Sequence, residues 1–438
     1  MHIKSSRGVR PSRVRCCSRS RQVPRNSLLV AAVATWFFAS GAYAQEATTP
    51  TLSLSGFGTV GEVYSSEDRA DFTGSSLKAK GAGFSSNWSG DVDSLLAVQI
   101  TANLTPKLSA TVQIMSDENY ANSYRPHVEW ATIKYQITPE FNVRVGRTVL
   151  PFFMVSDSRA VGYANPWVRP PLEVYNLVSI TTTDGVDASY RLTIGAATNT
   201  FQITAGQSDK SFPTTAGGPP ETVNVRKLRA FSDTFEHGFL TAHVSYGESR
   251  LTIEQLEPLF DAFRLFGPQG VAIDDKYAID DKVASFVGVG ASYDPGRWFV
   301  LGEWGHVDTH SMLGASTGWY GTAGYRLGEF TPYATYGSVE ADSARSDPGL
   351  TLSDVPPNLL GTAIGLNAAL NSTLSAIAVQ RTVSVGTRWD FAKRAALKVQ
   401  LDHIDLGAGS HGILVNVQPS FKLGGNFNLF SVSVDFVF

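Results

Sequence analysis

The sequence predicts an all-β chain folded as a transmembrane antiparallel β-barrel of about sixteen strands. Three observations carry this. Polar and apolar residues alternate with period two after residue 44, the mark of strands whose two faces meet different surroundings. No stretch after residue 44 is a convincing membrane-spanning helix. Short turns and long connections take turns along the whole chain, as in a barrel with short loops on one side of a membrane and long loops on the other.

Residues 1–44 read as a cleaved secretory signal. Lys4 and seven arginines precede the apolar run LLVAAVATWFF without one acid, and AYA closes the segment before Gln45, a small-x-small cleavage pattern. Removing it leaves 28 basic and 39 acidic residues, a net charge of −11, so nucleic acid is not the expected partner. Both cysteines, Cys16 and Cys17, leave with it. The exported chain, 45–438, then holds no disulfide.

The strands follow in order. Phe141, Val143 and Val145 oppose Asn142, Arg144 and Gly146. Phe201 and Ile203 oppose Gln202 and Thr204. Val383, Val385 and Trp389 oppose Ser384 and Arg388, and Leu397, Val399 and Leu401 oppose Lys398, Gln400 and Asp402. Phe430, Val432, Val434, Phe436 and Phe438 oppose Ser431, Ser433 and Asp435. Short turns are read at 104–107, 137–140, 235–238, 294–297, 327–330 and 391–394, with a looser one near 192–199. Long connections are read at 65–91, 117–125, 149–183, 208–222, 249–281, 308–316, 341–379 and 405–427.

A soluble sandwich would bury its apolar faces against a second sheet and would not sort its loops by length. A closed barrel in lipid turns its apolar face outward and keeps a polar lumen. Closure is required because an open edge leaves backbone groups unpaired in hydrocarbon. Tyr293, Trp389, Phe391, Phe436 and Phe438 fall near the short turns, where an interfacial aromatic girdle is expected.

These features together, with the opening strand LSGFGTVGEVY and the terminal Phe438, resemble the Gram-negative general porins. The resemblance covers the whole exported chain at the level of pattern. It implies a homotrimeric outer-membrane channel for passive diffusion of small hydrophilic solutes or ions. Lipid, lipopolysaccharide and the barrel-assembly machinery, which reads the terminal Phe438, are its implied partners. It also implies that the third external loop folds inward and narrows the channel.

Here that loop is 149–183, which contains the aperiodic SDSRAVGYANPWVRPPLEVY. Pro151, Pro166, Pro170 and Pro171 stiffen it. Asp157, Arg159, Tyr163, Trp167, Arg169 and Glu173 are the expected constriction residues, with charges of both signs to set a transverse field. Arg144, Arg147, Arg326, Arg388 and Lys398 are the expected lumen wall, because a charge facing lipid is costly. Arg147 has the parity of Phe141 and Val145, which sets it at the root of the loop. The alternative for every charge is pairing within the protein.

Other motifs weigh less. GFGTVG at 56–61 matches a dinucleotide fingerprint but continues as strand, where the motif needs a helix; no cofactor is expected. His306, Asp308 and His310 share a face and are read as a polar strand end rather than a metal site. Residues 256–266 have helical spacing, and the uncharged 358–380 is a second candidate loop helix. No GxSxG, HExxH or paired-cysteine motif points to an enzyme. A substrate-specific channel, with anion selectivity as one form of it, is the alternative within the class; an outer-membrane enzyme or adhesin lies outside it.

Overall fold

The computed structural model describes residues 50–213 and 220–438; the signal reading of 1–44 lies outside them. Sixteen long strands form the wall. They are β1 (Thr51–Ser65), β2 (Leu95–Asn103), β3 (Leu108–Asp117), β4 (His127–Gln136), β5 (Phe141–Val149), β6 (Thr182–Ile194), β7 (Ala197–Phe212) and β8 (Glu221–His237). They continue as β9 (Leu240–Thr252), β10 (Lys282–Tyr293), β11 (Trp298–Asp308), β12 (Ala315–Tyr325), β13 (Phe330–Ala341), β14 (Gln380–Ala392), β15 (Ala395–Leu406) and β16 (Asn426–Val437). Each pairs antiparallel with the next, and β16 pairs back onto β1 from Phe57↔Val437 to Ser65↔Leu429, closing the cylinder.

The alternation sorts the two faces. Val145, Val186, Ile203, Val244, Val289, Val385 and Leu401 are exposed on the outer surface, where lipid replaces water. Aromatic rings border this belt. Beside the short turns, Tyr293 packs on Phe239 at 6.1 Å and on Trp298 at 5.5 Å, and Trp389 packs on Phe330 and Phe391, both at 5.6 Å. Toward the long loops, Trp319 packs on Tyr336 at 5.4 Å. Trp319 and Tyr325 on β12 are therefore about 20 Å apart along the strand, a span suited to a tilted strand crossing hydrocarbon.

Two details differ from the expected pattern. The strands run to 17 residues because several continue past the lipid belt into the long-loop side. The turn expected at 235–238 is the tighter Gly238–Phe239, with Gly238 at φ 60°; a two-residue hairpin favours residues that accept positive φ.

GFGTVG is a seam. A Cβ on Gly56 would stand 2.2 Å from Phe438 Cζ, and one on Gly58 2.5 Å from Phe436 Cζ. The glycines leave room for the terminal rings to lie across β1, while Gly56 and Phe438 exchange both backbone hydrogen bonds at 2.9 and 3.0 Å.

The 256–266 spacing forms α2 (Glu257–Arg264), and the uncharged segment forms α4 (Leu360–Ser375). A four-residue α1 (Leu172–Tyr175) and α3 (Pro268–Tyr277) complete the described helices. Phe260 and Phe263 of α2 and Leu370 and Leu374 of α4 join Phe153, Trp167, Tyr175 and Met312 in one buried apolar cluster. That cluster stacks the loops on the β8–β14 side of the barrel mouth, so the remaining open space lies off centre.

Candidate functional site

Residues 150–181 leave β5, enter the barrel and return to β6. Loops normally stay at the surface because their backbone polar groups need partners. This one is supplied with partners by the inner wall. The Phe152 carbonyl accepts Ser245 Oγ at 2.7 Å. Met154 N donates to Glu303 Oε2 at 2.8 Å, and Tyr175 and Tyr320 hydroxyls donate to Glu303 Oε1 at 2.5 and 2.7 Å. One buried carboxylate of β11 thus ties both ends of the loop.

Lys398 ties its middle. It is wholly buried and donates to the carbonyls of Gly162 and Trp167, each at 2.6 Å, while pairing with Asp435 at 2.9 Å. Arg388 donates to the carbonyls of Tyr163 (2.5 Å) and Asn165 (3.2 Å), pairs with Asp390 at 2.7 Å and sits 4.7 Å from the Tyr163 ring centre. At Gly162 the loop comes so close that a Cβ would lie 2.2 Å from Asp435 Oδ1.

These contacts correct several expectations. Arg169 is buried with two bonds to Asp93 at 2.8 and 2.6 Å and one to Ser431 at 2.8 Å. Glu173 is buried and accepts from Gln380 Nε2 at 2.9 Å and from the Thr382 hydroxyl. Trp167 is buried with its indole N–H on Thr322 at 3.0 Å. All three anchor the loop, because a charge or N–H taken out of water must find a protein partner; Arg169 also borders the open cavity, whereas Trp167 and Glu173 do not. Tyr163 lies under Arg388 with its hydroxyl on the Lys393 carbonyl at 3.3 Å.

The wall residues divide likewise. Arg144 faces inward and pairs with Asp187 at 2.7 Å, a carboxylate that also accepts from Gln202 and Thr204. Lys398 and Arg388 hold the loop and are covered by it. Arg147, near the loop end of β5, grips Asp184 through two 2.7 Å bonds and borders the open cavity. Arg326 lies at the short-turn mouth, paired with Asp294 at 2.6 and 2.7 Å; the strand ends one residue earlier, so it never enters the wall.

What remains open is a cavity of about 540 Å³ between the loop and the β1–β5 and β7 walls, roofed by segments 66–94 and 118–126. Of the expected constriction residues, Asp157 and Arg159 face it with no hydrogen-bonded partner among the described residues. Desolvation pushes the Asp157 carboxyl up, and desolvation also lowers Arg159, which lies 5.3 Å from the Tyr175 ring centre.

Alternation did not reveal other lining residues. His127 stands between Asp117 (3.6 Å) and Glu129 (3.4 Å), and Lys78 donates to the carbonyls of Asp91 and Val92. Glu118 is 2 % exposed, its Oε2 has no partner among the described residues, and burial beside Asp91 raises its pKa to about 7. Lys210 shares the inward parity of Thr204 and Ser208, a signal present in the sequence. Lys78 and Glu118 sit on connecting segments, whose inward lean has no periodic signature.

The family model for Gram-negative porins matches residues 29–409. Among solved structures, OmpF of Salmonella typhi in complex with daunomycin is similar at 12 % identity and TM-score 0.53, over 88 % of this chain and 97 % of that one. An anion-selective porin from Comamonas acidovorans is similar at 12 % identity and TM-score 0.51, over 89 % and 100 %. The outer-membrane channel DcaP of Acinetobacter baumannii is similar at 12 % identity and TM-score 0.50, over 89 % and 97 %. At such identity these likenesses speak for the fold. No curated protein matches the chain. A closed sixteen-stranded wall with a lipid-facing belt, together with a family match over most of its length, makes this chain a member of the Gram-negative porins, a bacterial outer-membrane channel for passive diffusion.

Proposed function

We propose that the 149–183 loop sets the width of this channel and that Arg159 inclines it toward anions. The observation that carries the reading is an arginine on the inner loop, lining the cavity without a hydrogen-bonding or ion-pair partner among the described residues. Arg169, Arg388 and Lys398 spend their charge on wall and loop groups. Asp93, Asp187, Asp294 and Asp435 are each paired with a cation and so present no uncompensated negative charge.

Reversal potentials in a potassium chloride gradient test it. The wild type is expected to favour chloride, and Arg159→Gln to move the potential toward potassium. An unchanged potential would overturn the assignment. On this reading the chain is a passive conduit without catalysis, exported behind residues 1–44 and assembled as a homotrimer. Conductance steps in threes support the trimer. A silent barrel with hydrolytic activity would favour an outer-membrane enzyme instead.

A further inference from the structure

The cavity departs from a porin lumen in one respect. Such interiors are polar, yet here three inward side chains on adjacent strands form an apolar row. Phe57 of β1 is in register with Ala97 of β2, and Ala97 with Met115 of β3. Leu95, Ala160 and Val161 pack against this row, the last two from the inner loop. Phe57, Leu95, Met115, Ala160 and Val161 also line the cavity that Arg159 lines. Two guanidinia without a hydrogen-bonded partner among the described residues line the cavity, Arg125 on its roof and Arg159 on the inner loop beside the apolar row; a free guanidinium beside an apolar patch is the composition of a ligand site, where apolar walls bury the body and a few polar groups orient it.

We propose that this cavity is a binding subsite for small carboxylates with an apolar body, such as aromatic or branched aliphatic acids. Arg159 takes the carboxylate, which a guanidinium matches in geometry. The patch formed by Leu95, Ala160 and Val161 takes the apolar body. An inorganic anion or a short hydrophilic acid gains only the first contact. Asp157, two residues before Arg159 on the same loop, disfavours a second negative charge, which restricts the class to monoanions. Occupancy holds the solute at the narrow point, so the channel discriminates among anions as well as by size.

The inference rests on the reading that the 149–183 loop borders the passage, and the two are separable by experiment. Single channels in potassium chloride are challenged with benzoate, acetate and benzamide. Benzoate is expected to interrupt the chloride current at a concentration about tenfold below acetate, the gain from burying about two methylene equivalents, and benzamide is expected to interrupt it no better than acetate. Arg159→Gln is expected to abolish the benzoate effect. Val161→Asn, at a half-buried position of the inner loop, is expected to bring benzoate to the level of acetate with the reversal potential unchanged; normal conductance of this variant shows that it has folded. Equal action of benzoate and acetate overturns the subsite, as does equal action of benzoate and benzamide. If Arg159→Gln leaves the reversal potential unmoved, it is the reading of the passage that fails.

Discussion

At the scale of single residues, the interior is organised by which charges have partners. Glu118 has none for one oxygen, and its burial beside Asp91 raises its pKa from 4.5 to about 7. A carboxyl with a raised pKa binds its proton more tightly folded than unfolded. It therefore favours the fold most below about 4.5, and that advantage is lost as pH rises through about 7. For permeation the sign is simple: the cavity loses a negative charge as pH falls from 8 to 6. Chloride preference should rise over that interval, and Glu118→Gln should flatten the dependence, both read from reversal potentials. This residue was invisible to alternation, because it belongs to a connecting segment and its burial depends on segments 66–94 and 118–126 folding together. Arg144, by contrast, was legible from its parity alone.

At the scale of elements, the inner loop is held by buried wall groups of opposite sign. Glu303 joins its beginning at Met154 to its end at Tyr175, and Lys398 holds the carbonyls between. Glu303→Gln keeps the shape but puts an NH2, which cannot accept, in place of one carboxylate oxygen, so the Met154 bond is lost and the two tyrosine bonds pass to a neutral acceptor, a loss of about 2 kcal/mol. We expect more frequent brief closures in single-channel records and a lower Tm, with ion preference intact, since Glu303 does not line the cavity. Unchanged gating would place the loop's rigidity in its prolines and apolar contacts instead. The loop itself was legible as an aperiodic insert with four prolines, and its charges were legible as a group. Their roles were not, because Arg169 has Asp93 and Ser431 within reach and Arg159 does not, contacts between residues 76 and 262 positions apart. The helical spacing of 256–266 and the uncharged 358–380 were readable as helices, whereas their meeting in one apolar cluster was a property of the assembled mouth.

At the scale of the whole molecule, sixteen strands were countable from alternation and loop length because lipid imposes the period on every strand. The off-centre opening was not countable, since it arises from loops distant in sequence stacking on one side. Closure draws on Gly56 and Gly58 of β1, over which the terminal rings lie. Gly58→Val would drive its side chain into Phe436 and toward the Leu95 carbonyl. The fraction of chains showing the compact mobility of a folded barrel on unheated gels should drop sharply, whereas a substitution at the open Gly321 should leave it unchanged. Equal yields for both would show that the seam tolerates bulk. The seam also has a consequence for biogenesis. Gly56 stands near the start of the wall and Phe438 follows its last strand, so the groove on the first strand is filled only when the last strand docks. A prematurely ended polypeptide has no ring to lay there and no backbone partner for Gly56. A chain that stops before β16 is therefore expected to keep the edge of β1 unpaired and to remain an open sheet.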